Sequence, residues 1–277
     1  MLGSESLAVA YGLCSAVAWG AGDFYGGLAT RRISVLLVVL WSQLIGAIAL
    51  VALAVSFGEA LPQPGSLFYG AIAGVVGVIG LAALYRGLAV GRMGIVAPLS
   101  ALTAAVIPVV IGAVQEGLPT AVQLGGFSLA VLAIWVLSYT RGEGRPQLQE
   151  WAHALVAGVG FGLFFVFIDQ ASDQAVLWPL VAARAASITC MLCLVLLRGE
   201  YAVPSRNHLT LLIFVGLFDA AGNTFFALAS RIGRLDVSAV LASLYPAATV
   251  LLAWVLLRER LLPRQWAGVA MATAALV

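Results

Sequence analysis

The sequence predicts an all-α membrane protein of ten transmembrane helices, arranged as two inverted five-helix repeats. Three observations carry that reading. The 277 residues are 62% hydrophobic and 9% charged, with a mean hydropathy of +1.06, whereas a soluble domain is nearer a quarter charged and under half apolar. Apolar runs of the length a bilayer requires, about 20 residues each, follow one another along the whole chain with short polar breaks. The chain also matches itself at a constant offset of 142 residues.

The spans are placed in order. The opening residues 1–6 carry no basic segment, and the apolar run behind them, 7–29, continues past Trp19, so it reads as a first transmembrane helix and not a cleaved signal. Arg31-Arg32 separates it from a second span at 33–57, and Pro62-Gln63-Pro64-Gly65 precedes a third at 66–90. Gly91-Arg92 leads into 95–114, and Glu116-Gly117-Leu118-Pro119 into 120–140. The most polar break, Arg141 to Pro146, lies near the middle and suggests a linker at 143–149 between repeats 1–142 and 150–277. The second set of spans is 151–171, 176–197, 208–230, 237–257 and 263–277.

The internal register supports a duplication. Gly20, Gly74 and Gly80 match Gly162, Gly216 and Gly222. Gly91-Arg92 matches Gly233-Arg234, and Gln123 with Gly126 matches Gln265 with Gly268, all 142 apart. A five-span unit enters the membrane from the opposite side the second time, and inverted repeats are an architecture of secondary transporters with substrate held at the midplane. In this register Val277 aligns with Trp135, before the fifth span ends, so the tenth helix is expected to be short or continued by a tail.

Composition excludes several functions. All 14 basic residues are Arg and net charge is +2, so neither nucleic acid nor another acidic partner is indicated. The histidines, His153 and His208, lie at span ends, and no Gly-x-Ser-Gly nucleophile, nucleotide-binding fingerprint or His/carboxylate cluster is present. An enzyme, ATP drive, a cofactor and a bound metal are therefore not expected. Cys190-x-x-Cys193 and Cys14 sit in apolar spans and read as packing residues. Gly22-x-x-x-Gly26, Gly70-x-x-x-Gly74 and Gly87-x-x-x-Gly91 would let helices pack closely. Pro98, Pro108 and Pro246 interrupt the backbone ladder in spans four and nine, where a helix can bend or gate.

With the five-plus-five spans, Trp19-Gly20 and the stretch Glu259, Leu261, Gln265, Gly268, with its copy Glu116, Leu118, Gln123, Gly126, the chain resembles the drug/metabolite transporter superfamily, and within it the EamA-type ten-helix exporters. The resemblance implies a central cavity lined by helices one, three, four, six, eight and nine. It also implies small-molecule substrates such as amino acids, drugs or nucleotide sugars. Eleven arginines in the odd loops against two in the even loops put the odd loops in the cytoplasm and both termini outside, whereas many relatives are described with both termini cytoplasmic.

Charges at bilayer depth need a reason, since each costs at least about 2.5–3.5 kcal/mol. Asp219 lies mid-span with Asn223 one turn on, a polar patch for a cationic group or a proton. Arg184 could pair with Asp219 or take a substrate carboxylate. Asp23 could form a gate salt bridge or a vestibule charge near Arg31 and Arg32. The matched aromatics Trp19 and Phe161, the hydroxyls of Ser100 and Thr103, and the pair Ser243 and Tyr245 complete the candidate wall, with Asp23, Asp219, Pro98 and Pro246 as gate or coupling residues. The expectation is a monomeric secondary transporter in the bacterial inner membrane, exporting amino acids or similar metabolites by alternating access. Efflux of cationic drugs by proton antiport and a channel-like pore stand as alternatives.

Overall fold

A computed structural model describes residues 3–90, 93–138, 147–199, 204–257 and 263–275. Arg92, Arg141, Arg145, Arg258, Glu259, Arg260, Leu261, Val277 and residues 143–146 of the expected linker lie outside the described residues. The described residues form helices: α1 (Ser4–Thr30), α2 (Val35–Ser56), α3 (Pro64–Val90), α4 (Met93–Gln115), α5 (Ala121–Ser138), α6 (Leu148–Ala171), α7 (Leu177–Arg198), α8 (Arg206–Ile232), α9 (Leu235–Ala242), α10 (Tyr245–Leu257) and α11 (Pro263–Ala274). Among the described residues, eight stretches are long and apolar enough to cross a bilayer, α9 and α10 together forming one of them. With the shorter α5 and α11 they make ten spans in two inverted sets of five.

The ninth span is split where its proline stands. Ser243 and Leu244 still bond back to Ala239 and Leu241, but Pro246 has no N–H to continue the ladder, and a new helix starts at Tyr245. The fourth span differs: α4 runs unbroken through Pro98 and Pro108.

The two halves pack as their repeat predicts. The heaviest contacts are α1 on α8 and α3 on α6, which are the same pair exchanged between repeats. Matched glycines make matched approaches. A methyl on Gly216 would lie 2.7 Å from the Ser42 carbonyl of α2, and one on Gly74 would overlap the Ala183 carbonyl of α7. Likewise Gly222 receives the Trp19 ring and Gly80 receives Phe161, with a methyl there only 3.2 Å from the ring. These contacts carry no β-carbon, so backbones approach closely and polar groups on adjacent residues are brought together. Two buried apolar clusters, one around Phe165, Phe226, Leu180 and Leu235 and one around Leu37, Leu81, Leu84 and Tyr85, leave a cavity between them. Apolar side chains such as Val17, Ile48 and Val110 point outward, as a lipid-facing surface requires. Cys14, Cys190 and Cys193 are free thiols, and Cys14 and Cys193 are exposed on that outer surface, not packed in the core.

Candidate functional site

The cavity begins with two close helix approaches. Gly216 admits α2 beside α8 and sets Gln43 against Asp219, while Gly22 admits the α8 backbone at Asp219, 3.5 Å from where a methyl would stand. Asp219 itself is thirteen residues into α8, roughly 20 Å along the axis at 1.5 Å per residue. The cavity is a narrow cleft of about 70 Å³. α1, α2, α3, α6, α7 and α8 line it, together with Tyr245 at the start of α10.

Its polar centre is a five-residue network drawn from three helices. Arg184 Nη1 donates to Asp219 Oδ2 at 2.6 Å and also to Gln43 Oε1. Gln43 Nε2 donates to the same Asp219 oxygen at 3.3 Å, and Ser187 Oγ donates to Gln43 Oε1 at 2.8 Å. Asn223 Nδ2 reaches back one turn to the Asp219 carbonyl at 2.7 Å and to Oδ1 at 3.4 Å. The Arg184 side chain is only 6% exposed, and its Nη2 is buried without a partner among the described residues. A buried ion pair adds little net stability against an apolar pair of the same volume, so its presence in an apolar wall asks for a functional reason.

Asp23 lines the same cavity, half-buried, and forms no hydrogen bond or ion pair with the described residues. It lies one turn from Gly26, whose open face receives the Tyr85 hydroxyl. The rest of the wall is apolar: Leu81, Val78, Leu180, Phe161, Phe164 and Phe165. On α1, α6 and α8, one turn from Asp23 and two from Asp219, aromatic rings cluster at the cavity wall. Trp19 stacks on Phe165 at 5.5 Å and on Phe226 at 6.0 Å, Phe165 meets Phe226 at 4.5 Å, and Phe164 meets Trp19 edge-on at 6.4 Å.

Beyond that cluster, at the face where α1 begins, the repeats are tied by charge. Glu59, following α2, caps α7 by accepting from the backbone N–H groups of Val176, Leu177 and Trp178 at 2.8–3.2 Å, a favourable place for an anion. Arg234 donates to the Glu116 and Gly117 carbonyls at 3.2 and 2.8 Å and pairs with Asp236 at 2.8 Å. Glu116 in turn accepts the first N–H of α9, at Leu235, at 3.1 Å.

Of the residues singled out from sequence, Trp19, Asp23, Phe161, Arg184, Asp219, Asn223 and Tyr245 all come to one cavity. Ser100, Thr103 and Ser243 do not line it. Ser100 Oγ bonds its own helix at Ala97 and meets the Tyr245 hydroxyl at 3.2 Å behind the wall. Thr103 bonds Leu99 and packs on Gly158, and Ser243 is fully buried at the α9–α10 break with its hydroxyl unpartnered among the described residues. Asp23 makes no salt bridge to Arg31 or Arg32. Pro98 lies outside the wall, and Pro246 marks the break behind Tyr245. The lining also departs from the implied helix set: α2 and α7 contribute and α4 does not, because α2 and α7 pack on each other and on α8 and α3 across the centre. Gln43 and Ser187 were missed. Gln43 is as foreign to the apolar α2 as a charge is, and Ser187 is one turn from Arg184, so a search of polar as well as charged residues would have found both.

The sequence model described as the EamA-like transporter family matches residues 6–139 and again residues 151–277. A solved chain described only as "Crystal structure of protein" superposes with a TM-score of 0.80 at 16% identity, covering 98% of this chain and 96% of that one; at that identity the likeness shows the fold. No curated protein matches.

Proposed function

Because the chain belongs to the EamA-like transporter family and is a multi-pass membrane protein, we propose that it is a secondary transporter that exports amino acids or similar small metabolites by alternating access. The supporting observation is the charge layout of the central cavity. An unpaired carboxylate, Asp23, and a buried guanidinium with a free nitrogen, Arg184, share one mostly apolar cleft between the two halves. A small zwitterion carries the complementary charges, its ammonium for a carboxylate and its carboxylate for a guanidinium. Trp19, Phe161, Phe164 and Phe165 suit its apolar part, and Tyr245 with Asn223 completes the wall.

The halves that rock are residues 1–142 and 150–277, with 143–149 as linker, acting within one monomer. The aromatic cluster around Trp19 and the ties of Glu59 and Arg234 hold the face where α1 begins closed, and the break at Pro246 gives α9 and α10 a place to bend. A closed barrier on one side favours alternation over a continuous pore. The export direction follows the exporters the sequence resembles. A helical bundle suits the bacterial inner membrane, since outer-membrane spans are β-barrels.

The test is flux in proteoliposomes loaded with a panel of amino acids and cationic drugs, with and without a pH gradient. Saturable flux of at least one amino acid, abolished in Asp219→Asn although that variant is still folded at the assay temperature, is expected. Drug flux alone that needs a pH gradient would select proton-coupled efflux, and unsaturable flux would select a pore.

A further inference from the structure

Two carboxylates face the cavity, and their surroundings differ. Asp219 Oδ2 accepts from Arg184 and Gln43, and its Oδ1 accepts from Asn223. Its charge is matched in contact by the guanidinium at 2.6 Å. To bind a ligand ammonium there, a buried pair must first be broken and Arg184 left with an uncompensated charge, which is strongly unfavourable. Asp23 has no such commitment, lines the same cavity as Tyr245, and is one turn from Gly26, where the Tyr85 hydroxyl sits. With Arg184 and Asp219 paired to one another, Asp23 is the acidic side chain of the wall that has no hydrogen-bond or ion-pair partner among the described residues.

We propose that Asp23, and not Asp219, receives the ammonium group of the substrate, and that Asp219, Gln43 and Ser187 are positioning residues that hold Arg184. The ligand class is a primary amine with a compact apolar body, zwitterionic or singly cationic; an acid of the same skeleton lacking the amine is rejected. Ser187 and Gln43 act through the arginine: Ser187 bonds the Gln43 oxygen, and that oxygen and Asp219 together occupy Nη1, which fixes the rotamer that leaves Nη2 free. This rests on reading the cavity as the substrate site.

The experiment is calorimetric binding to the full-length protein in detergent of three compounds sharing one skeleton: L-leucine, 3-methylbutylamine and 4-methylpentanoate. L-leucine and 3-methylbutylamine should bind, and 4-methylpentanoate should bind at least tenfold more weakly. Asp23→Asn should weaken both amines at least tenfold without lowering the melting temperature, because Asp23 has no partner to lose, and Asp23→Glu should restore most of the affinity. Gln43→Leu should cut the preference for L-leucine over 3-methylbutylamine at least fivefold, a ratio that a merely structural role would not move. Unchanged amine affinity in Asp23→Asn, the acid binding as tightly as the amine, or no binding by any of the three overturns the proposal. Flux of other panel compounds would survive such a result, so its failure is distinct from failure of the transporter reading.

Discussion

Arg234 and Glu116 stand 3.8 Å apart across the boundary between the two repeats, Nε to Oε2, both about 30% exposed. The same arginine clasps the backbone after α4 and the carboxylate of Asp236 in α9. The α4–α5 turn of one half is thereby fastened to the start of a helix in the other. The hydrogen bond and charge of Asp236, with Glu116 behind it, keep Arg234 protonated even more firmly than a free arginine, so the cationic side of this tie is insensitive to pH.

If the tie holds that face shut, loosening it will open the cavity there. A partly exposed pair of this kind is worth about 0.2–1 kcal/mol, enough to shift a balanced equilibrium severalfold. Glu116→Gln is therefore expected to raise labelling of a single cysteine placed at Phe226, in a background lacking Cys14, Cys190 and Cys193, by two- to fivefold with an impermeant thiol reagent. Phe226 is fully buried in this state, so an unchanged labelling rate would remove the tie from gating.

The pair Arg184–Asp219 separates stability from function. Removing one partner leaves a buried charge and should cost about 3–5 kcal/mol, visible as a lowered melting temperature in Arg184→Met or Asp219→Leu. The double variant Arg184→Met/Asp219→Leu should recover much of that stability, since a well-packed apolar pair commonly equals or exceeds an ionic one. Transport should nonetheless stay lost. A double variant that transports normally would relegate the pair to packing.

Tyr245 contributes its ring to the cavity but turns its hydroxyl to Ser100 and the Ala97 carbonyl of α4, at 3.2 and 3.4 Å. Tyr245→Phe should therefore cost about 0.5–1.5 kcal/mol of stability. Its effect on flux, measured in the same liposomes, should be smaller than that of Tyr245→Ala, which removes the ring from the wall.

Glycine positions make a paired prediction. A methyl on Gly74 would overlap the Ala183 carbonyl, so Gly74→Ala must push α3 from α7 at a cost of about 1–3 kcal/mol. Gly125 on α5 has nothing within 4 Å of the same position. Gly125→Ala should be neutral or stabilising, by up to about 1 kcal/mol of helix propensity. Equal melting temperatures for the two variants would mean that the α3–α7 approach is not tight.

Much of the fold is legible because its determinants are local or periodic. A span is a property of some 20 consecutive side chains in lipid, and most of the expected spans fall within three residues of the observed helices. The exception is span nine, where Pro246 was visible but its consequence was not: α4 absorbs two prolines without a break and span nine does not absorb one. The repeat offset of 142 residues matches Trp19 with Phe161 and Gly80 with Gly222, while the seating of Trp19 on Gly222 and of Phe161 on Gly80 belongs to the tertiary structure.

The sequence by itself thus determined the helices, their inversion and the few polar groups that lipid would make costly. The tertiary structure decided how those groups are used. Arg184 and Asp219 are 35 residues apart, and Gln43 and Asp219 are 176 apart; no spacing rule reaches across such distances. Which carboxylate is neutralised and which stays free depends on where the glycine-lined faces let α2, α7 and α8 approach. Hydrogen bonds and ion pairs act over about 3 Å, and only the packing of whole helices sets distances that fine.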